Sequence, residues 1–422
     1  MSSVCCDQAP SKTLKNLDEA IAELQATATQ TNSHSKENAP KTLRIPLSQA
    51  LNHVLATDIY SKINVPPADN SAVDGYALKI EDYVPGQNIP ISQRIPAGQA
   101  PLAIEAKTVA RIFTGAHIPQ GANCVVMQEN VTLNDDGSKI CISEDLKLGQ
   151  NIRPMGQDIK SGECILSKGS IITPQRLGLI ASIGIPELTV FKPLKIAILS
   201  TGNELIEPGY AVKEGQIYNS NRYLLSGFLQ SLNFEILDLG VIPDNLEQTL
   251  SALKKAASEA DVVISTGGAS VGEEDYIQSA IKALGKVDFW KVAIKPGKPV
   301  MLGNINNTPI LGLPGNPGAV FVTFMILARP FLLHKQGLEN TSPKPFKLPI
   351  NFEIKKAGVR REFLRVIRNQ DNVLELHSNQ SSGMLSSASW ADGLAVIMEN
   401  TAPKRGDFVS FIPFGDLLNI NN

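Results

Sequence analysis

The stretch Val262-Val263-Ile264-Ser265-Thr266-Gly267-Gly268-Ala269-Ser270-Val271-Gly272-Glu273-Glu274-Asp275-Tyr276 passes from an apolar, β-branched run into glycines, then carboxylates, then a helical pattern. A short apolar run bounded by turn residues reads as a buried strand, and the loop at its carboxyl end is where an open α/β sheet places a ligand. The same rhythm extends on both sides. Strand-like runs lie at Ile196 to Leu199, Phe234 to Val241, Val287 to Ile294 and Ile310 to Leu313, and helical stretches at Arg222 to Leu232, Leu246 to Glu259, Tyr276 to Leu284 and Ala319 to Leu333. This alternation predicts an α/β domain over 191–335 built on a doubly wound, mostly parallel sheet with helices on both faces.

The flanking segments follow other periods. Leu14, Leu17, Ile21 and Leu24 recur at helical spacing, a polar linker follows over Thr31 to Pro40, and Pro46 with Leu47, Ala50, Leu51 and Val54 suggests a second short helix. From 69 to 150 short runs such as Ala110 to Phe113 and Cys124 to Gln128 are broken by Gly and Pro, which fits a small β-rich domain. Residues 151–190, with a helical segment at Pro174 to Ile183, are expected to join 14–68 in an N-terminal helical and linker domain, with 1–13 disordered. Strand-like runs at Leu348 to Ile354, Phe363 to Ile367 and Val373 to His377 predict a C-terminal β domain over 343–420. An elongated multidomain chain is expected, since one core rarely grows past ~250 to 300 residues and this chain has 422.

Composition removes several function classes. Lys plus Arg total 39 against 41 for Asp plus Glu, so no overall positive charge exists to hold a nucleic-acid backbone. The apolar stretch Ala319 to Ala328 is shorter than the ~20 residues of a membrane span, and no signal pattern opens the chain, so no membrane partner and a cytoplasmic location are expected. Cys5, Cys6, Cys124, Cys141 and Cys164 form no Cys-x-x-Cys pair and read as free thiols. Histidines at 34, 53, 117, 334 and 377 show no paired ligand spacing, so a zinc or histidine-based centre has no support.

The chemistry is therefore sought in the loops after the apolar runs. Besides the quoted stretch these read Ser200-Thr201-Gly202-Asn203-Glu204, Lys295-Pro296-Gly297-Lys298-Pro299 and Leu313-Pro314-Gly315-Asn316-Pro317. Glycines let the main chain approach a ligand and turn successive N–H groups toward an anion, helped by the helix N-terminus that follows. Glu204, Glu273, Glu274 and Asp275 beside Lys295 and Lys298 suit a magnesium-bridged phosphate, with hard oxygens for the cation and ammonium groups for the anion. Any one loop alone would be an ordinary tight turn. Neither a Walker-type loop nor a Gly-x-Gly-x-x-Gly fingerprint is present.

Gly268-Ala269-Ser270-Val271-Gly272 does match the serine hydrolase elbow, with His334 and His377 downstream. Against that reading, Thr266 and two glycines separate the strand from Ser270. Three adjacent carboxylates would also oppose a developing oxyanion.

Taken together, Ser-Thr-Gly-Asn-Glu-Leu, Gly-Gly-Ala-Ser-Val-Gly-Glu-Glu-Asp-Tyr, Ala-Ile-Lys-Pro-Gly-Lys-Pro and Gly-Leu-Pro-Gly-Asn-Pro resemble, in order, the pterin-binding domain of the MoeA family. Asp69 to Ala77, Phe113 to Ala116 and Gly149 to Ile159 also resemble that family, so the likeness runs from about Leu14 to the C-terminus. The flanking domains favour the molybdenum insertion step over the adenylylation step performed by single-domain relatives. The resemblance implies that molybdate is inserted into adenylylated molybdopterin with release of AMP. Thr201, Gly202, Gly267, Gly268, Ser270, Lys291, Lys295, Lys298, Pro314, Gly315 and Pro317 would bind substrate. Glu204 and Asp275 would serve catalysis and the metal, and Asp74, Thr114 and Asp158 would contribute from the small domains. It further implies Mg2+, with Zn2+ or Mn2+ as alternatives, a homodimer whose partner helps complete the cleft, and transient contact with the adenylyltransferase and molybdoenzymes. A scaffold protein on the same fold is the nonenzymatic alternative. Where the family commonly has Asp, this chain has Asn203. Without the resemblance, Asp74, Thr114 and Asp158 read as a turn carboxylate, a turn hydroxyl and a surface charge, and Asp244 as an N-cap.

Overall fold

The computed structural model describes residues 14–33, 41–267 and 276–418. By internal contacts the chain divides into two units: one of 1–56, 169–173 and 188–422, the other of 57–168 and 174–187. Residues 42–56, grouped from sequence with 57–68 and 151–190, thus pack with the larger unit. Their backbone accounts for this: Leu55 N–H donates to Ser170 and Ala56 N–H to Thr189, both within that unit.

At the centre of the larger unit lies a six-stranded sheet. Its strands are β1 (Lys195–Thr201), β2 (Glu235–Ile242), β3 (Val262–Thr266), β4 (Lys286–Trp290), β5 (Met301–Ile305) and β6 (Thr308–Leu313), in the order β2-β1-β3-β6-β5-β4. The first four strands pair in parallel, β5 runs antiparallel to them, and β4 pairs antiparallel with β5. Side chains alternate between faces as a pleated strand requires. Ile196, Ile198, Val262, Ile264, Leu311 and Leu313 enter one core cluster, while Ala197, Leu199, Val263 and Ile310 enter the other. Helix α1 (Ser220–Ser231) covers the first face with Leu225, Phe228 and Leu229; α2 (Leu246–Glu259) and α3 (Tyr276–Leu284) cover the second with Leu253, Ala256, Ile277 and Ile281. Burial on both faces is why these strands read as continuous apolar runs.

Two expectations for this sheet change. The run Val287 to Ile294 is two strands, because β4 ends at Trp290, Lys291 takes φ +97°, and Ile294–Lys295 pairs in parallel with Arg361–Glu362 of a different sheet. Strand β5 was not expected. It forms a hairpin with β6 through Asn306 and Asn307, both at positive φ, the conformation a tight hairpin turn demands.

After β6 the chain is helical from Pro317 to Lys335, passing through a π-helical segment at Phe324–Ala328. This 19-residue run is long and apolar enough to cross a membrane by length and composition, yet it is 89% buried inside the larger unit. Phe324 stacks on Phe228 at 4.7 Å between ring centroids, and Phe331, Leu332 and Leu333 are buried. The N-terminal helix Leu17–Ser33 lays Leu17, Ala20, Leu24 and Ala28 into the same core. The second short helix is instead strand Thr42–Pro46 followed by one 3₁₀ turn, Leu47–Gln49.

The C-terminal residues form a sheet in the order Ile294–Lys295, Arg361–Arg368, Gly393–Ile397, Phe408–Pro413, Phe346–Pro349, with Leu374–Leu376 beside Arg361–Arg368. Strands Gly393–Ile397 and Phe408–Pro413 were not expected.

The smaller unit has its own six-stranded sheet, ordered Cys124–Met127, Gly75–Leu78, Val109–Ile112, Ile89–Ile95, Lys139–Ile142, Val131–Leu133. Its single α-helix among the described residues is Pro174–Ser182. Cys124 is a buried free thiol, pushed up to about 11 chiefly by desolvation.

Candidate functional site

The loops singled out from sequence converge. A cavity of about 630 Å³ in the larger unit is lined by Thr201 and Glu204 after β1, Thr266 and Gly267 at the end of β3, Lys295 to Pro299, and Pro314 to Pro317 after β6. These are the carboxyl ends of the parallel strands, as expected of an open α/β sheet.

Backbone geometry sets the floor. Gly267 has φ +79°, and a Cβ there would lie 2.5 Å from the carbonyl oxygen of Thr201, so only glycine lets the β1 and β3 loops abut. Beneath them Ser200 Oγ and Thr266 Oγ1 are 3.0 Å apart, a buried hydroxyl pair that ties the two strand ends together. Gly202 does not line the cavity, but it leaves free the space where a Cβ would press on the Glu204 carboxylate. Asn203 N–H donates to Asp244 Oδ2 at 2.9 Å, and Asp244 N–H donates back to Asn203 Oδ1 at 3.2 Å. Asp244 is therefore a clamp on the Glu204 loop. The N-cap of α2 is Asn245, whose side chain accepts from Gln248 N–H.

Residues that sequence reasoning passed over complete the walls. Asn219 caps α1 by accepting from Arg222 N–H, and Arg222 is held between Glu207 at 3.0 Å and Asp238 at 2.7 Å. Both carboxylates raise the Arg222 pKa, hydrogen bonding from Asp238 foremost, so this cation is spoken for. Asn221 donates to the Gly315 carbonyl at 2.7 Å, while its buried Oδ1 has no partner among the described residues. From the C-terminal residues come Glu362 on a strand, Arg360 just before it, and Gln380, Ser381 and Ser382 in a loop. Lys295 Nζ pairs with Glu362 at 2.8 Å, and Arg360 donates to the Ile294 carbonyl at 3.3 Å. Lys298 and Arg360, with Lys295 paired to Glu362, leave one side of the cavity net cationic. On the β1 side Glu204 carries a carboxylate with no hydrogen bond or ion pair among the described residues. The only sequence signal for the C-terminal contributors was the polar run Ser378 to Ser382, which has no motif to mark it.

Thr201, Glu204, Gly267, Lys295, Lys298, Pro314, Gly315 and Pro317 thus line one cavity. Lys291 does not; its backbone bonds Lys15 and Val300. Gly268, Ser270 and Asp275 lie outside the described residues. The hydrolase reading finds no histidine in the lining. His334 meets Thr29 on the N-terminal helix at 3.0 Å, and His377 bonds Asn379 and packs on Trp390.

Asp74, Thr114 and Asp158 belong to the smaller unit. Thr114 donates both its N–H and its hydroxyl to Asp74 Oδ1, each at 2.8 Å. These bonds, the backbone one foremost, and the nearby Arg111 hold the Asp74 carboxyl below its ordinary value. Arg111 in turn lies over the rings of Tyr76 and Phe113. Asp158 is exposed, and its side chain makes no hydrogen bond or ion pair among the described residues.

Three family models match the chain in order: the MoeA N-terminal region (domains I and II) at 15–184, a probable molybdopterin binding domain at 197–334, and the MoeA C-terminal region (domain IV) at 347–414. A molybdopterin molybdenumtransferase of Haemophilus influenzae is 40% identical over 403 residues, covering 93% of this chain and 99% of that protein. Molybdopterin molybdenumtransferase 2 of Mycobacterium tuberculosis is 33% identical, covering 86% and 92%. The crystal structure of a molybdopterin biosynthesis MoeA protein from Pyrococcus horikoshii superposes with a TM-score of 0.81 at 29% identity, covering 95% of this chain and all of that one. With matching models over most of its length and full-length relatives at this identity, the chain belongs to the MoeA family of molybdopterin molybdenumtransferases.

Proposed function

We propose that this protein inserts molybdate into adenylylated molybdopterin, releasing AMP and forming the molybdenum cofactor. The observation that carries the reading is the polarity of the cavity: Lys295, Lys298 and Arg360 on one side, Glu204 on the other, glycine and proline loops between. Molybdate is a dianion and a phosphoanhydride is polyanionic, so both are drawn to the cationic side. As the two thiolate sulfurs bind molybdenum, their protons leave with an oxo group as water, while a water molecule hydrolyses the anhydride to AMP and the pterin phosphate. The protein needs no covalent nucleophile for this; it has to hold two anions in register and exclude bulk water.

Thr201, Gly202, Gly267, Gly268, Ser270, Lys295, Lys298, Pro314, Gly315 and Pro317 are assigned to substrate binding, and Lys291 only to support of the Lys295 loop. The buried, unpartnered Asn221 Oδ1 is an acceptor suited to a ring amino group or ring N–H. Glu204, with Asp275, is assigned to a divalent cation. Among the described residues no three His, Cys, Asp or Glu side chains converge on a metal position. Two hard carboxylates such as Glu204 and Asp275 suit Mg2+, which keeps several waters and takes its remaining ligands from substrate phosphates. When bound, the cation would neutralise charge on the anhydride.

Asp74, Thr114 and Asp158 are assigned to the reaction of a homodimer, in which the smaller unit of one subunit serves the cavity of its partner. The enzyme is placed in the cytoplasm, in transient contact with the adenylyltransferase that supplies its substrate and the molybdoenzymes that take its product.

The test is AMP release from adenylylated molybdopterin and magnesium, with and without molybdate. Wild type should release AMP in a molybdate-dependent way. Glu204→Gln should lower the rate at least ~100-fold, the scale at which lost electrostatic stabilisation is felt, and Asp275→Asn should do likewise. A folded, pterin-binding wild type that releases no AMP would leave a scaffold on the same fold.

A further inference from the structure

Resting on that reading of the cavity, we infer that Tyr218 is the stacking platform for a flat heteroaromatic ring of the adenylylated substrate. Two such rings are present in that molecule, adenine and pterin, and the inference concerns their shared chemistry.

Tyr218 is the single aromatic residue among the described residues of the cavity lining. Its ring is half exposed, at 49%, and beside it Ile217 is exposed at 57%. An exposed aromatic is ordinarily free to change rotamer, but this one has its backbone set in a ribbon and its hydroxyl bonded. Ile206 and Tyr218 pair across a two-stranded ribbon in which Leu205 faces Ile217. The ribbon is closed on either side of Tyr218, by Ile217 N–H donating to the Glu204 carbonyl and Asn219 N–H to the Ile206 carbonyl, each at 2.9 Å. At the far end of the side chain, the Tyr218 hydroxyl donates to the Tyr210 carbonyl at 3.1 Å. The next residue, Asn219, is buried at the start of α1.

The result is an aromatic side chain tethered at its backbone and at its hydroxyl, with about half of the residue exposed in the cavity. Aromatic faces stack readily on nucleobase-like rings, and a side chain already immobilised surrenders little rotamer freedom when a ligand covers it. The placement agrees with the polarity of the cavity. Ile217 N–H bonds the backbone carbonyl of Glu204, and Tyr218 and Glu204 line the same cavity, so the ring shares that cavity with the carboxylate assigned to the metal-bridged anhydride. A ring attached to either end of that anhydride would come to rest against Tyr218.

The experiment is calorimetric or equilibrium-dialysis binding of AMP, ribose 5-phosphate, molybdopterin and adenylylated molybdopterin to wild type, Tyr218→Ala and Tyr218→Phe. Ribose 5-phosphate carries the phosphate without a base. Tyr218→Ala should weaken adenylylated molybdopterin by roughly ten- to a hundred-fold, the fold-change that one stacked base is worth, and leave ribose 5-phosphate unchanged. Tyr218→Phe keeps the ring and should bind within a few-fold of wild type. A loss confined to AMP and the adenylylated compound assigns the ring as adenine; a loss confined to molybdopterin and the adenylylated compound assigns it as pterin. Wild-type affinity of Tyr218→Ala for all four compounds overturns the inference and leaves the proposed function standing. Failure of wild type itself to bind the adenylylated compound removes both.

Discussion

At the scale of single residues, the Asp74–Thr114 pair gives the sharpest prediction. Two donated hydrogen bonds and the Arg111 charge all favour the ionised carboxylate, so Asp74 stays charged to lower pH than an ordinary aspartate. Because the folded value is lowered, this stabilisation is present at and above the unfolded carboxyl value near pH 4. It is lost as pH falls through the lower folded value. Thr114→Val deletes the hydroxyl and keeps the N–H, so the Asp74 titration, followed by carbon NMR of its carboxyl, should move up toward the ordinary value. A titration that does not move would place the control in the backbone N–H and Arg111 alone. This pairing was not legible beforehand: forty residues separate the partners, and each on its own reads as a turn residue. Asn203 is similar. From sequence it was a departure from a family pattern, whereas in the fold its amide oxygen and N–H are both engaged by Asp244.

Among elements, the helix beginning at Pro317 meets the C-terminal segment at its first turn. Ala319 N–H donates to the Ser382 carbonyl at 3.1 Å as well as to Asn316, and Asn316 Nδ2 donates to Ser382 Oγ at 3.2 Å. The close approach depends on Gly318, where a Cβ would lie 2.8 Å from the Ser382 carbonyl oxygen. Gly318→Ala should therefore push the 380–384 segment off the helix. The expected cost is about 1–3 kcal/mol, read as a lowered midpoint in denaturant unfolding, together with weaker anion binding at the cavity. An unchanged midpoint would mean that the segment yields without loss.

Elements buried on both faces were the most legible, since β1, β3 and β6 announce themselves as unbroken apolar runs closed by glycine loops. Strands β5, Gly393–Ile397 and Phe408–Pro413 were not, because they are antiparallel and their identity lies in a partner chosen by the tertiary fold. Nor was the break after Trp290 visible, because nothing in Lys291-Val292-Ala293-Ile294 marks a change of sheet.

At the scale of the whole molecule, the assigned active residues fall in two units: Glu204 and the cavity in one, Asp74, Thr114 and Asp158 in the other. If a homodimer shares them across subunits, two defective variants should repair each other. Glu204→Gln and Asp74→Asn proteins, each inactive alone, should on co-refolding approach a quarter of wild-type activity. That share follows because half of the subunit pairs are mixed and each of these has one intact site. No recovery would place all of the groups within one chain. The sequence made the cavity floor legible because its loops follow consecutive strands. The Arg360 and Ser382 side was hidden, since only folding brings those residues back to the Lys295 loop.

One feature of that loop bears on how a gene of this kind can be taken apart. Ile294–Lys295 lies in the chain between two strands of the central sheet but is hydrogen-bonded into the C-terminal one. The last eighty residues are therefore no detachable cassette. Ending the reading frame near 343, between the matched molybdopterin binding and C-terminal regions, strips a strand partner from a segment two residues long and unmoors Lys295 and Lys298 with it. Shuffling, fusion or split-protein schemes that respect the linear boundary would sever the seam through which one module lends its backbone to the other.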